Sequence, residues 1–136
     1  MTQTPLNVAI VGCGIFGEVH AAAYVHFDGS NLAAVCDVDE GRAKRLAEKF
    51  GCRYCTSVED IAADATIEAV SVVTPDFAHR DICLALARAG KHLLIEKPLA
   101  MSVADAEAIA AAVRASGVIG MVDFHNRYHP ALRKVK

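Results

Sequence analysis

Short apolar runs alternate with helix-patterned segments along the chain. Leu6 to Val11 (LNVAIV) is β-prone and ends at glycines, and Ile15 to Phe27 then reads as a helix. Asn31 to Asp37 is a second strand, followed by a helix over Asp39 to Phe50. In that helix Asp39 stands near the start, Lys and Arg follow, and Gly51 occupies the C′ position. A short strand is expected at Arg53 to Cys55 and a helical turn from Ser57. Ile67 to Thr74 (IEAVSVVT) is almost continuously apolar, as a strand covered on both faces would be. Asp76 to Ala89 reads as a helix closed by Gly90, His92 to Glu96 as a strand, Ser102 to Ser116 as an Ala-rich helix, and Val118 to Phe124 as the last strand.

Six strands separated by helices of this length imply right-handed βαβ crossovers and a parallel sheet. The expected fold is therefore α/β, a doubly wound (Rossmann) parallel sheet with helices on both faces and strand order 3-2-1-4-5-6. His125 to Lys136 breaks the alternation. It is polar and basic, carries Pro130 and has no element to complete, so the chain reads as cut rather than finished.

Composition narrows the class. The 136 residues are 54% hydrophobic and 22% charged, enough apolar content for one core. A net charge of −2 with scattered Lys and Arg argues against nucleic acid or a membrane surface as partner. No apolar run approaches the roughly 18 residues that span a bilayer. Met1 to Pro5 lacks the regions of a secretory signal, and five Cys is an odd count. Reduced thiols in the cytoplasm are the expectation.

Gly12-Cys13-Gly14-Ile15-Phe16-Gly17 is a G-x-G-x-x-G with a strand before it and a helix after it. In such a loop the first glycine permits the tight turn and the second lets the backbone approach a pyrophosphate at the helix N-terminus. The third lets the helix pack closely. Asp37, at the end of the second strand, stands where a carboxylate accepts hydrogen bonds from an adenosine ribose diol. That acid repels a 2′-phosphate and favours NAD over NADP, with Arg42, about one helical turn on, partly offsetting it. A tight turn that needs glycine only for packing, or the loop of a methyltransferase, remains open at this point.

Thr74-Pro75-Asp76-Phe77-Ala78-His79 follows the fourth strand and Glu96-Lys97-Pro98 the fifth, both on the edge where such sheets bind ligands. Pro98 biases Lys97 to extended geometry, where a lysine can hydrogen-bond a substrate oxygen or a nicotinamide ribose. A solvated charge pair is the bland alternative.

GCGIFGEVH, TPDFAH, AGKHLLIEKPLA and MVDFHNRYHP together resemble the N-terminal domain of the Gfo/Idh/MocA oxidoreductases, which include glucose–fructose oxidoreductase and inositol dehydrogenases. The EKP element sets this resemblance apart from a methyltransferase. The resemblance implies that Gly12, Gly14, Ile15, Phe16 and Gly17 cradle the pyrophosphate and that Asp37 and Arg42 surround the adenosine ribose. It implies that Thr74, Pro75 and His79 line the cofactor's path and that Glu96 and Lys97 reach the nicotinamide ribose. Lys97 would also face the substrate as the catalytic residue. Asn126, in a stretch resembling the family's F-N-R-R-F, would approach the nicotinamide end, although His125 here interrupts that pattern.

The implied activity is hydride transfer between NAD (NADP less so) and a hydroxyl or carbonyl of a sugar, cyclitol or related small molecule. The alternative is a non-catalytic dinucleotide-binding or sensing module. Residues 1–124 would form the dinucleotide-binding domain and 125–136 the start of a connection to a C-terminal substrate domain. That domain would supply the proton-transfer groups and a homo-oligomer interface, so the chain alone is expected to be inactive.

Other residues attract no functional claim. Cys52-Arg53-Tyr54-Cys55 lacks a second ligand pair or a helix start, so neither metal nor redox chemistry is expected. Cys13 lies near a helix N-terminus, where thiol pKa values can fall, but a small residue that fits is the simpler reading. His20 is expected to pack or hydrogen-bond. His26, His92 and His129 are left without a role, and Ala106 and Ala110 to Ala112 are expected to let a helix pack closely.

Overall fold

The computed structural model describes residues 4–135. Met1 to Gln3 and Lys136, parts of the expected N-terminal and exit segments, lie outside the described residues. Six parallel strands form one sheet: β1 (Leu6–Val11), β2 (Ser30–Cys36), β3 (Arg53–Cys55), β4 (Ala69–Val72), β5 (His92–Glu96) and β6 (Gly120–Asp123). Their spatial order is β3-β2-β1-β4-β5-β6, the doubly wound order expected from the alternation.

The two-residue period of β1 divides the core. Val8 and Ile10 pack with Leu32 and Val35 under α1 (Ile15–His26) and α2 (Glu40–Phe50). Ala9 and Val11 enter the opposite cluster beneath α3 (Val58–Ala63), α4 (His79–Arg88) and α5 (Val103–Ser116), with Val70, Val72, Leu86, Ile95 and Ile109.

Local chemistry sets the helix ends. Asp39 accepts from Arg42 N–H at 3.0 Å and caps α2, while Gly51 closes that helix at φ 71°. Ser57 caps α3 and Ser102 caps α5 in the same manner. No side chain caps α1, which begins after Gly14.

Three differences from the sequence reading have plain causes. The run Ile67 to Thr74 contributes only Ala69–Val72 to the ladder, because β4 pairs with β1 only over Val8 to Val11. The helix expected over Asp76 to Ala89 splits into a 3₁₀ turn (Asp76–Ala78) and α4. The exit segment, expected to hold no element, instead forms a 3₁₀ turn (His125–Tyr128) and a short helix, α6 (Pro130–Arg133). Pro130 sits in the first turn of α6, where its missing N–H has no intrahelical role.

Candidate dinucleotide site

A cleft of about 740 Å³ opens at the carboxyl edge of the sheet. Gly12, Gly14, Ile15, Phe16, Asp37, Arg42, Thr74 and Pro75 line it, so eight of the sequence-selected residues converge on one place. The three loop glycines differ in what surrounds them. Gly12 has φ 106°, and a Cβ there would lie 2.6 Å from the Val73 carbonyl oxygen. At Gly17 a Cβ would lie 2.1 Å from the Gly12 carbonyl oxygen. Both positions are therefore glycine for the protein's own packing. A Cβ at Gly14 would meet nothing within 4 Å. That open space lies at the uncapped start of α1, whose free N–H groups suit an anion. A pyrophosphate fits there.

Asp37 is buried and does two things. Its Oδ2 accepts from the Cys13 backbone N–H at 2.8 Å, and its Oδ1 accepts from the Asp39 N–H at 2.9 Å. The carboxylate thus ties the glycine loop to the end of β2 while lining the cleft. Beside it Val38 is 93% exposed and also lines the cleft, an apolar neighbour that the sequence reading did not select. Arg42 reaches back to Asp39, with 3.4 Å between Nε and Oδ2.

Thr74 and His79 divide their roles. Thr74 lines the cleft wall, and its hydroxyl oxygen is buried with no hydrogen-bond partner among the described residues. His79 is not part of the lining. Its buried ring bridges two strand-end loops, with Nε2 3.0 Å from the Thr74 carbonyl oxygen and Nδ1 3.0 Å from that of Pro98.

Glu96, Lys97 and Asn126 also stand outside the lining residues. Lys97 is exposed, and its ammonium lies 5.4 Å from the centre of the Phe16 ring at the rim of the cleft. Glu96 is turned inward. Its Oε2 accepts from the Lys97 backbone N–H at 3.1 Å, and its Oε1 lies 3.4 Å from His20 Nε2. Asn126 sits in the exposed 3₁₀ turn after β6.

Sequence reasoning missed the polar group behind these residues. His20 Nε2 also lies 3.5 Å from Asp123 Oδ2, and its Nδ1 lies 3.1 Å from Ser71 Oγ. Ser71 Oγ is 2.6 Å from the Tyr24 hydroxyl. Burial pushes the Tyr24 hydroxyl pKa up, so the phenol keeps its proton. The available signals were a serine inside an apolar strand and an acid closing the last one.

The thiols are quiet. Burial, then the Asp37 charge, push Cys13 up to about 12, the opposite of the lowering that a helix N-terminus can give. Burial also raises Cys36, Cys52, Cys55 and Cys83. All five cysteines are free.

Comparisons with known proteins bear on the fold and the family. The family model for oxidoreductases with an NAD-binding Rossmann fold (Gfo/Idh/MocA) matches residues 6–124. The scyllo-inositol 2-dehydrogenase (NAD(+)) of Bacillus subtilis is 34% identical over 96% of this chain and 39% of its own length. The crystal structure of GenD2 from gentamicin A biosynthesis, in complex with NAD, superposes with a TM-score of 0.91. It is 35% identical and covers 96% of this chain and 37% of GenD2. KijD10, a 3-ketoreductase from Actinomadura kijaniata crystallised with NADP, gives a TM-score of 0.91 at 29% identity, over 97% of this chain and 41% of its own. This chain thus spans about 40% of the length of the relatives it matches.

Proposed function

The chain belongs to the Gfo/Idh/MocA oxidoreductases, and from that premise we propose that it serves an enzyme acting on a sugar, cyclitol or related small molecule. In this reading it holds the nicotinamide dinucleotide for hydride transfer to or from a hydroxyl or carbonyl group. The observation that carries the reading is Gly14, open to solvent at the uncapped start of α1, with the Asp37 carboxylate on the same cleft. The names of relatives that act on inositol support the substrate class.

The residues divide the work. Backbone N–H groups around Gly12, Gly14, Ile15, Phe16 and Gly17 receive the pyrophosphate. Asp37 accepts from the ribose hydroxyls. Its charge, together with the apolar Val38, disfavours a 2′-phosphate, while Arg42 is drawn off by Asp39. Thr74 and Pro75 form the facing wall. His79 holds that wall in place.

Bound nicotinamide supplies the hydride donor or acceptor. Lys97 donates to the substrate oxygen and polarises it, while Glu96 and Asn126 frame the nicotinamide end. Residues 1–124 form the nucleotide-binding unit and 125–136 lead out of it. No helix among the described residues is long and apolar enough to cross a membrane. Five free thiols suit a reducing compartment, and a cytoplasmic location is part of the proposal.

Titration calorimetry with NADH and NADPH tests the cofactor reading. NADH is expected to bind at least about tenfold more tightly, which is ~1.4 kcal/mol. Equal affinities would remove Asp37 from the ribose, and no binding of either would overturn the site. Reduction of NAD⁺ by a panel of polyols and aldoses tests the activity in a chain of the relatives' full length, with the present chain alone expected to stay silent. Silence of the longer chain across the panel would overturn the substrate class.

A further inference from the structure

We propose that His20 is a positioning residue for Lys97, acting through the Glu96 carboxylate that it holds between the ends of β5 and β6. The inference rests on the assignment of Lys97 to the substrate oxygen.

Glu96 and Asp123 are register partners on β5 and β6, so their carboxylates leave the sheet side by side. The His20 ring meets both, and the ligand-type atoms of all three residues lie within 4.8 Å of one another. Two carboxylates so close, with Glu96 buried, repel unless a donor stands between them.

A carboxylate only accepts, so the His20 nitrogen that faces two of them, Nε2, is the one that carries a proton. The Tyr24 hydroxyl lies 2.6 Å from Ser71 Oγ, which lies 3.1 Å from His20 Nδ1 and occupies that nitrogen. Nε2–H is left to face Glu96 Oε1 and Asp123 Oδ2. With Oε1 held there, Oε2 is aimed at the Lys97 backbone N–H. Loss of the ring would free the Glu96 carboxylate to turn toward water, and the Lys97 backbone would lose its acceptor. The effect belongs to the Lys97 end of the cleft. The glycine loop and Asp37 are held by backbone contacts that do not pass through His20.

Amide hydrogen exchange on the whole chain, followed by NMR, reads this directly. In His20→Ala the Lys97 N–H is expected to exchange at least about tenfold faster, while Val8 to Val11 in β1 keep their protection. His20→Gln retains an N–H near the Nε2 position and is expected to restore most of the loss. Ser71→Ala, which keeps the ring but removes the partner that Nδ1 shares with the Tyr24 hydroxyl, is expected to give a smaller change in the same direction. It decides the matter if His20→Ala unfolds.

Binding separates positioning from general support. His20→Ala should weaken NADH several-fold and leave ADP-ribose, which lacks the nicotinamide, unchanged. Unaltered Lys97 exchange in both His20→Ala and Ser71→Ala would overturn the inference, as would equal weakening of the two ligands. If the unaltered protein bound neither ligand, the dinucleotide site would fall and the exchange result would still judge His20.

Discussion

At the β1–β2 end of the sheet edge the site is made of backbone: two glycines packed against carbonyl oxygens, one glycine open to the cleft, and an uncapped helix start. One side chain, Asp37, completes it. At the β4–β6 end, outside the cleft lining, the proposed site is made of side chains. Lys97 stands over Phe16 there, with Glu96, His20, Asp123, Ser71 and Tyr24 ranked behind it. A backbone site has a fixed charge distribution and answers chiefly to steric change. A side-chain site answers to deletion and to the protonation of its members.

The sharpest break in that comparison is expected within the backbone end itself. Gly17→Ala places a methyl against the Gly12 carbonyl and should cost about 3 kcal/mol of stability, read as a large fall in melting temperature. Gly14→Val should leave melting within a few degrees yet weaken NADH on the order of 100-fold, ~2.7 kcal/mol, because its side chain fills the space for the pyrophosphate. Equal melting losses in the two variants would mean that Gly14 serves packing after all.

Asp37→Ala comes next. It should weaken NADH by about tenfold, ~1.4 kcal/mol, and NADPH by less, with calorimetry as the readout. A larger loss for NADPH would place the acid away from the ribose.

The smallest effect is on pH dependence. The folded state holds the Cys13 proton up to about 12, whereas an unperturbed thiol releases it near 9.0. Folded pKa above unfolded pKa means that this contribution is complete below pH 9 and is lost as pH rises toward 12. Melting temperature should therefore decline above about pH 9, with Cys13 responsible for about half a kcal/mol where pH equals the unfolded value. Cys13→Ala should shallow the decline, and an unchanged slope would assign it to Cys83, which burial also raises to about 12, and to the other raised thiols.

What was legible in the sequence follows the same division. Periodicity located all six strands, and G-x-G-x-x-G with Asp37 located the cleft, because a backbone site imprints itself as glycine spacing and one acid. The network of His20 left no such imprint. Its members come from β4, β5, β6 and α1, and they meet only after the sheet has set the register of Glu96 against Asp123. Thr74 and His79 share one motif, yet one lines the cleft and the other, following the 3₁₀ turn at Asp76–Ala78, clamps two loops. No pattern of residue types distinguishes those two outcomes. The short helix at Pro130–Arg133 went unseen because it is only four residues long, below the reach of periodicity.

The pair of hydrogen bonds at Asp37 bears on how readily this lineage can change its coenzyme. The carboxylate proposed to discriminate at the ribose also anchors the loop at Cys13 N–H and the turn at Asp39 N–H. On that proposal, replacing it with a small neutral residue would lift the repulsion of a phosphorylated ribose and, in the same step, unmoor the loop proposed to receive the pyrophosphate. Selectivity and rigidity are therefore inherited as one trait. A variant that escapes the coupling needs a second acceptor for the Cys13 N–H in place before the acid is lost. That requirement makes the order of substitutions, rather than their number, the barrier to a switch.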